Sequence, residues 1–155
     1  MLPPSEWIPI AESDGEISHV QRCILEKVCA FLHDSPALCK QFHSVKLNLS
    51  PGTFLNRNMY AGMLDVLSTY RIAPSLLQFE ITETAATVHD RRSALLYESV
   101  VDTMHRLGFA VVVEGAETQN EADFLMAAGV ACIQGFYYAK PMPGGELKKL
   151  FTQNL

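Results

Sequence analysis

Carboxylate and amide side chains lie at or just past the ends of four short apolar stretches of this sequence. The six residues are Asn48, Glu80, Glu83, Glu114, Glu117 and Gln134. Carboxylate and amide oxygens are the ligands that hard divalent cations such as Mg²⁺ and Mn²⁺ prefer. Two bridged cations at such a site would activate water for attack on a phosphodiester. The residue types therefore predict an oxygen-lined metal site, provided that the fold brings these side chains together.

The apolar pattern predicts the elements that would do so. Strands are predicted at 45–49, 77–81, 109–113 and 130–133, and helices at 17–32, 59–70, 93–107, 121–128 and 146–151. Residues 3–16 are expected to open the domain, with Trp7, Ile8 and Ile10 as apolar anchors. Alternating helices and strands predict an α/β fold with a parallel sheet. Functional groups of such sheets gather at the carboxyl ends of the strands.

Each polar residue also has a simpler explanation. Glu83 and Glu117 would each suit the N-terminus of a helix, where the helix dipole favours a carboxylate. Asn48 would form a turn before Pro51, and Gln134 would be a solvated loop residue. We favour a shared site because all four strands end in this way.

Only one basic residue, Lys46, accompanies these polar groups. Its side chain should alternate with that of Leu47 along the strand. We therefore expect a rim of oxygen ligands without balancing cations.

Composition limits the class of protein. The chain has 155 residues, of which 48% are hydrophobic and 19% charged, which fits a single packed domain. A net charge of −5 gives no general electrostatic footprint for DNA, RNA or an anionic membrane. The sequence shows no membrane-spanning stretch and no signal-peptide pattern, so we expect a cytoplasmic protein or the cytoplasmic part of a longer one. Buried, reduced thiols are expected at Cys23, Cys29, Cys39 and Cys132.

Five segments of the sequence together carry a family resemblance. They read WIPIAE (7–12), KLNLS (46–50), FEITET (79–84), VEGAET (113–118) and QGFYYAKPMP (134–143). These segments resemble the motifs FIPLAE, VNLS, ELTES or EITET, AEGVET and QGYYFARPLP of the EAL family. That family comprises bacterial cyclic di-GMP phosphodiesterases and their inactive relatives. The resemblance implies a variant TIM barrel in which one strand is reversed.

The resemblance also implies roles at a centre that holds Mg²⁺ or Mn²⁺. Asn48 and Glu80 would be metal ligands. Glu114 would lie at the metal and act in catalysis by orienting the attacking water.

Three further residues would act around that centre by the same resemblance. Glu117 and Gln134 would hold the substrate or support the side chains that bind the metal. Glu83 would anchor the mobile loop that carries the metal-bridging aspartates.

Several family segments are missing from the sequence. It contains neither the Glu-Ala-Leu signature nor the DDFGTGYSS and KID segments, which carry the bridging aspartates and the catalytic lysine. Two βα units, about 60 residues at ~30 per unit, are absent near 85–95. A complete barrel needs roughly 250 residues. Either the chain is truly short, or the sequence joins segments of a longer one.

We therefore expect residues 1–155 to form a single EAL-like domain with an incomplete barrel. The favoured function is a degenerate domain that binds cyclic di-GMP or contacts a partner protein. An active phosphodiesterase giving pGpG is the alternative if the sequence joins segments of a longer chain. A third alternative is an unrelated α/β domain that shares the strand-end carboxylates by chance. Exposed strand edges favour a homodimer or a partner that completes the sheet.

Overall fold

Four parallel strands form the central sheet, and they occur in it in the same order as along the chain. The computed structural model describes residues 3–41, 43–50, 53, 56, 58–81 and 91–153. The strands are β1 (Val45–Leu49), β2 (Leu77–Ile81), β3 (Ala110–Glu114) and β4 (Cys132–Gln134). Each strand follows a helical connection that returns the chain to the same end of the sheet. The predicted α/β fold with a parallel sheet is confirmed.

Seven α-helices accompany the sheet in the described part of the chain. They are α1 (Pro4–Ser13), α2 (Ile17–Asp34), α3 (Pro36–Cys39), α4 (Met59–Tyr70), α5 (Arg91–Arg106), α6 (Gln119–Ala127) and α7 (Gly144–Gln153). A short 3₁₀ turn, Pro74–Leu76, leads into β2. Among the described helices, none combines the length and apolar character that crossing a bilayer requires.

Helix α1 is an element that the sequence did not predict. Pro4 occupies its first turn, where the missing N–H costs nothing, although Pro9 lies inside the helix. Trp7 and Ile8 are half-buried, but Ile10 is 56% exposed and is not the anchor that we expected. The helix is tied to the end of β1, since the Ser50 hydroxyl donates a hydrogen bond to the Glu12 carboxylate.

One face of the sheet carries the hydrophobic core. Successive side chains of a strand point to opposite faces, so alternate residues enter the core. The buried strand residues on this face are Leu49, Leu77, Phe79, Ile81, Val111 and Val113. They form a cluster with helix residues that include Leu25, Cys29 and Leu32 of α2, Met63, Val66 and Leu67 of α4, and Val100, Val101 and Met104 of α5.

The other face of the sheet is polar and largely open. Lys46, Asn48, Ala110, Cys132 and Gln134 are exposed. Strand β3 is the exception, because Val112 is buried on the open side just as its neighbours are buried in the core. The predicted burial of this strand on both faces therefore holds for 111–113 but fails at Ala110. Within the described residues the sheet does not close, because β1 and β4 each pair with a single strand.

Other predicted details need correction. In α5 the expected apolar stripe fails at Leu95, which is 58% exposed, while Val100 and Met104 are buried. The fourth strand begins at Cys132 rather than at Val130, because the Val130 N–H bonds to the Leu125 carbonyl at the end of α6.

The four cysteines do not share the buried environment that the sequence suggested. Cys29 is buried, and burial raises the pKa of its thiol to about 11. Cys23 and Cys39 are half-buried, and Cys132 is exposed on the open face.

Candidate functional site

Four of the predicted site residues lie on the open face of the sheet. Asn48 of β1 pairs in register with Glu80 of β2, and Glu114 of β3 pairs with Gln134 of β4. Neighbouring strands are about 4.8 Å apart, so each pair is adjacent. The structure therefore brings Asn48 beside Glu80 and Glu114 beside Gln134. Glu83 falls at 82–90, outside the described residues.

An ion pair joins two of the strands on this face. The Nζ of Lys46 lies 2.6 Å from Oε1 of Glu80. The Lys46 side chain is 53% exposed, whereas that of Glu80 is only 12% exposed. Lys46 alternates with Leu47, as expected, and for that reason it shares a face with Asn48. The expectation of a rim without a balancing cation is wrong.

The ammonium of Lys46 feels the field of more than one acidic group. Its pKa is raised above the usual value, first by the hydrogen bond to Glu80 and then by the charge of that carboxylate. Glu114 and Cys132 raise this pKa further. Lys46 therefore interacts electrostatically with both Glu80 and Glu114 on the open face of the sheet.

The donor types on this face suit a hard divalent cation, but their arrangement does not. An ammonium already occupies Oε1 of Glu80. Moreover, no three His, Cys, Asp or Glu side chains of the described residues are grouped closely enough to hold a metal. As the described residues stand, Asn48, Glu80 and Glu114 do not form a ready metal centre.

The structure tests two of the simpler explanations. Asn48 lies within β1 and its ladder rather than in a turn, so that explanation fails. Glu117 lies at the N-terminus of α6, as the simpler explanation requires, but the N-cap is Thr118, whose hydroxyl accepts a hydrogen bond from the Glu121 N–H. In return, the Glu121 carboxylate accepts from the backbone N–H groups of Thr118 and Glu117, each at 2.8 Å. This capping box was readable in the sequence as T-x-x-E and was missed.

The loops that follow β3 and β4 are held together by backbone hydrogen bonds. Gly115 and Ala116 both donate to the carbonyl of Gln134, at 2.8 and 3.3 Å. Tyr137 donates back to the carbonyl of Ala116 at 3.0 Å. A Cβ at Gly135 would lie 2.0 Å from that carbonyl oxygen, so only glycine fits there. These contacts fix Glu114 and Gln134 relative to each other.

A cavity of about 560 Å³ opens where these loops meet. Its volume lies within the range of small-molecule sites. Three predicted site residues line it, namely Glu114, Glu117 and Gln134. The cavity walls also include Phe136 and Lys140, whose Nζ lies 5.9 Å from the ring centroid of Phe136. No role was predicted for these two residues, although an aromatic side chain and a lysine close together are typical of nucleotide sites.

One family model matches the chain. It describes the EAL domain and matches residues 1–95 and, separately, residues 85–141. The two matches overlap at residues 85–95, where the sequence predicts a deletion. The deletion itself stays a prediction.

The relatives that match are longer than this chain, so each alignment covers most of this chain but a smaller share of the relative. The cyclic di-GMP phosphodiesterase PdeL of Escherichia coli K12 is 22% identical over 199 residues, which cover 94% of this chain and 55% of PdeL. The probable cyclic di-GMP phosphodiesterase PdeD of the same strain is 29% identical over 132 residues, covering 84% of this chain and 24% of PdeD. The chain thus spans between a quarter and about half of these relatives' length.

The alignment with PdeL is longer than this chain. It spans 199 positions, whereas 94% of the 155 residues is about 146, so about 53 positions of the alignment have no residue of this chain.

Among solved structures, the PaMucR phosphodiesterase in complex with c-di-GMP is 20% identical and has a TM-score of 0.48, with 94% of this chain and 87% of that chain covered.

Substitution of Gly135 by alanine is expected to destabilise the protein by about 1–3 kcal/mol, as overpacking does, because the new Cβ would collide with the Ala116 carbonyl. Urea denaturation measures the loss. Gly62→Ala is the matched control: it lies in α4, its Cβ would meet only the Arg22 side chain at 3.9 Å, and alanine favours a helix. Equal stability of Gly135→Ala and the unmodified chain would contradict the close approach of the two loops.

Proposed function

Because the chain belongs to the EAL domain family, we propose that it acts in cyclic di-GMP signalling by binding the nucleotide or a partner protein rather than by hydrolysis. Membership confirms the predicted fold, an α/β domain of EAL type whose barrel is incomplete, and overturns the alternative of an unrelated α/β domain. The observation that carries the proposal is the cavity that gathers Glu114, Glu117 and Gln134 at the ends of β3 and β4.

The groups in this cavity match those of a guanine nucleotide. Guanine offers N–H donors at its edge, which a carboxylate such as that of Glu117 accepts. The Gln134 amide can donate and accept. The Lys140 ammonium suits a phosphodiester, and the ring of Phe136 offers a face for base stacking. We assign Glu117 and Gln134 to holding cyclic di-GMP.

The catalytic roles belong to the proposal as well. EAL phosphodiesterases are generally metal-dependent. In an active enzyme, Asn48, Glu80 and Glu114 would be the groups that hold Mg²⁺ or Mn²⁺, with Glu114 orienting the attacking water, and Lys46 would first have to leave Glu80. Glu83 is proposed as the loop anchor. Turnover is not expected, because the sequence lacks the aspartates that would bridge two cations and the catalytic lysine.

The proposed cellular location rests on the same family membership. The chain is proposed to work in the cytoplasm, as part of a longer multidomain or membrane-anchored protein. Its relatives include the oxygen sensor protein DosP of Escherichia coli K12, of which the chain covers 25%.

An active phosphodiesterase giving pGpG is the second candidate. Two observations are compatible with it, namely the division of the family match at 85–95 and the roughly 53 alignment positions of PdeL that no residue of this chain matches. Both would arise if the sequence joined segments of a complete domain, and both would follow equally from a true deletion.

Titration calorimetry with cyclic di-GMP is expected to show binding to the chain. Gln134→Ala should weaken this binding about fivefold to tenfold, since a hydrogen bond to a ligand contributes about 1 kcal/mol. Gln41→Ala, an exposed glutamine outside the cavity, should have no effect. If the unmodified chain releases no heat, nucleotide binding is refuted and contact with a partner protein is left as the function.

A homodimer, or a partner that completes the sheet, is expected because β1 and β4 each leave an edge unpaired within the described residues. Analytical ultracentrifugation at micromolar concentration should show a species larger than a monomer. A clean monomer with cooperative unfolding would show that the open edges need no partner.

Peptide mass mapping of the native protein across residues 85–95 separates the two candidate functions. A peptide that continues without interruption through 85–95 is expected for the degenerate domain, because the missing βα units would then be truly deleted. An insertion of about 60 residues at this point would restore the enzyme, and pGpG formation should then be measured directly.

A further inference from the structure

The carboxylate of Glu80 has a resident partner. With only 12% of its side chain exposed, Glu80 has lost most of the water that would stabilise its charge. A largely buried carboxylate needs a compensating cation or several hydrogen bonds. Lys46 supplies that cation from the neighbouring strand, with Nζ 2.6 Å from Oε1.

The position of Lys46 follows from the strand itself. Lys46 pairs in register with Gln78, and Asn48 pairs with Glu80. The lysine therefore lies one pleat below the Asn48–Glu80 pair on the same face. Its four-carbon side chain reaches diagonally across to Glu80. The contact is thus built into β1 and β2 and depends on no loop.

We propose that Lys46 is the permanent cation of the open face and excludes divalent metal ions from Glu80. Two cations cannot share one carboxylate oxygen at 2.6 Å, and like charges at such separations repel strongly where water is partly excluded. A divalent ion would have to displace the ammonium first.

The inference is independent of nucleotide binding and extends the proposed function in one respect. A domain whose cation is a lysine retains positive charge on this face when chelators remove divalent metal. Lys46 would thus take over the charge-balancing part of the metal's role, but it could not activate water as a metal ion does.

A Mn²⁺ titration of the full chain, followed by the electron paramagnetic resonance signal of free Mn²⁺, tests the proposal. Lys46→Met removes the charge and keeps a flexible side chain of similar length. It should tighten Mn²⁺ binding at least about tenfold. Lys46→Arg retains the charge and should behave like the unmodified chain. Lys40→Met, at an exposed lysine next to α3, is the matched control and should change nothing.

A second substitution shows which side chain is responsible for the tighter Mn²⁺ binding. Adding Glu80→Gln to Lys46→Met should abolish the extra affinity, because the carboxylate released by the lysine is then gone. Lys46→Gln replaces Lys46→Met if the methionine variant does not fold, as judged by circular dichroism.

Three outcomes would overturn the proposal. These are equal Mn²⁺ affinity with and without Lys46, no Mn²⁺ binding to any variant, and micromolar binding to the unmodified chain. A separate calorimetric titration with cyclic di-GMP in a chelator distinguishes this proposal from the proposed function. Absence of binding there would refute the nucleotide-binding part of the proposed function and leave the Mn²⁺ comparison valid.

Discussion

Side-chain alternation along four parallel strands in register is the constraint on which the rest of the structure depends. It sends Leu77, Phe79 and Ile81 into the core and leaves Gln78 and Glu80 on the other face. The same alternation gives the helices an apolar surface to cover and gives the candidate site its polar residues. A shift of one residue in any strand would move its side chains to the opposite face of the sheet. Such a shift would therefore disrupt the core and the candidate site at the same time.

Much of this division could be predicted from the sequence, since a period of two is visible in a single strand. The segment 77–81 has it, and both its bounds and its buried residues are as predicted. The same rule also places Lys46 on the face of Asn48, because they are two residues apart. The cation on this face was therefore predictable from the sequence alone.

Other features depend on distances that no local pattern encodes. The need for glycine at 135 arises from the approach of the Ala116 carbonyl, which belongs to a different loop. Strand β4 is short because the end of α6 takes the Val130 N–H. The exposure of Leu95 similarly reflects what α5 packs against, while its spacing alone predicted burial. In each case tertiary contacts decided between conformations that the sequence permits equally.

The number of carboxylates on the open face decides whether a lysine or a divalent metal ion neutralises their charge. Glu80 and Glu114 are the two that act on Lys46 in the described structure, and one ammonium neutralises a large share of their charge. The two aspartates that the family carries in a segment absent here would double the number of carboxylates. A single lysine could not balance four such groups, and the excess negative charge would favour divalent cations. Absence of that segment from the sequence and the ion pair of Lys46 with Glu80 therefore act in the same direction. Under the function proposed above, the nucleotide would meet fixed protein charges and no activated water.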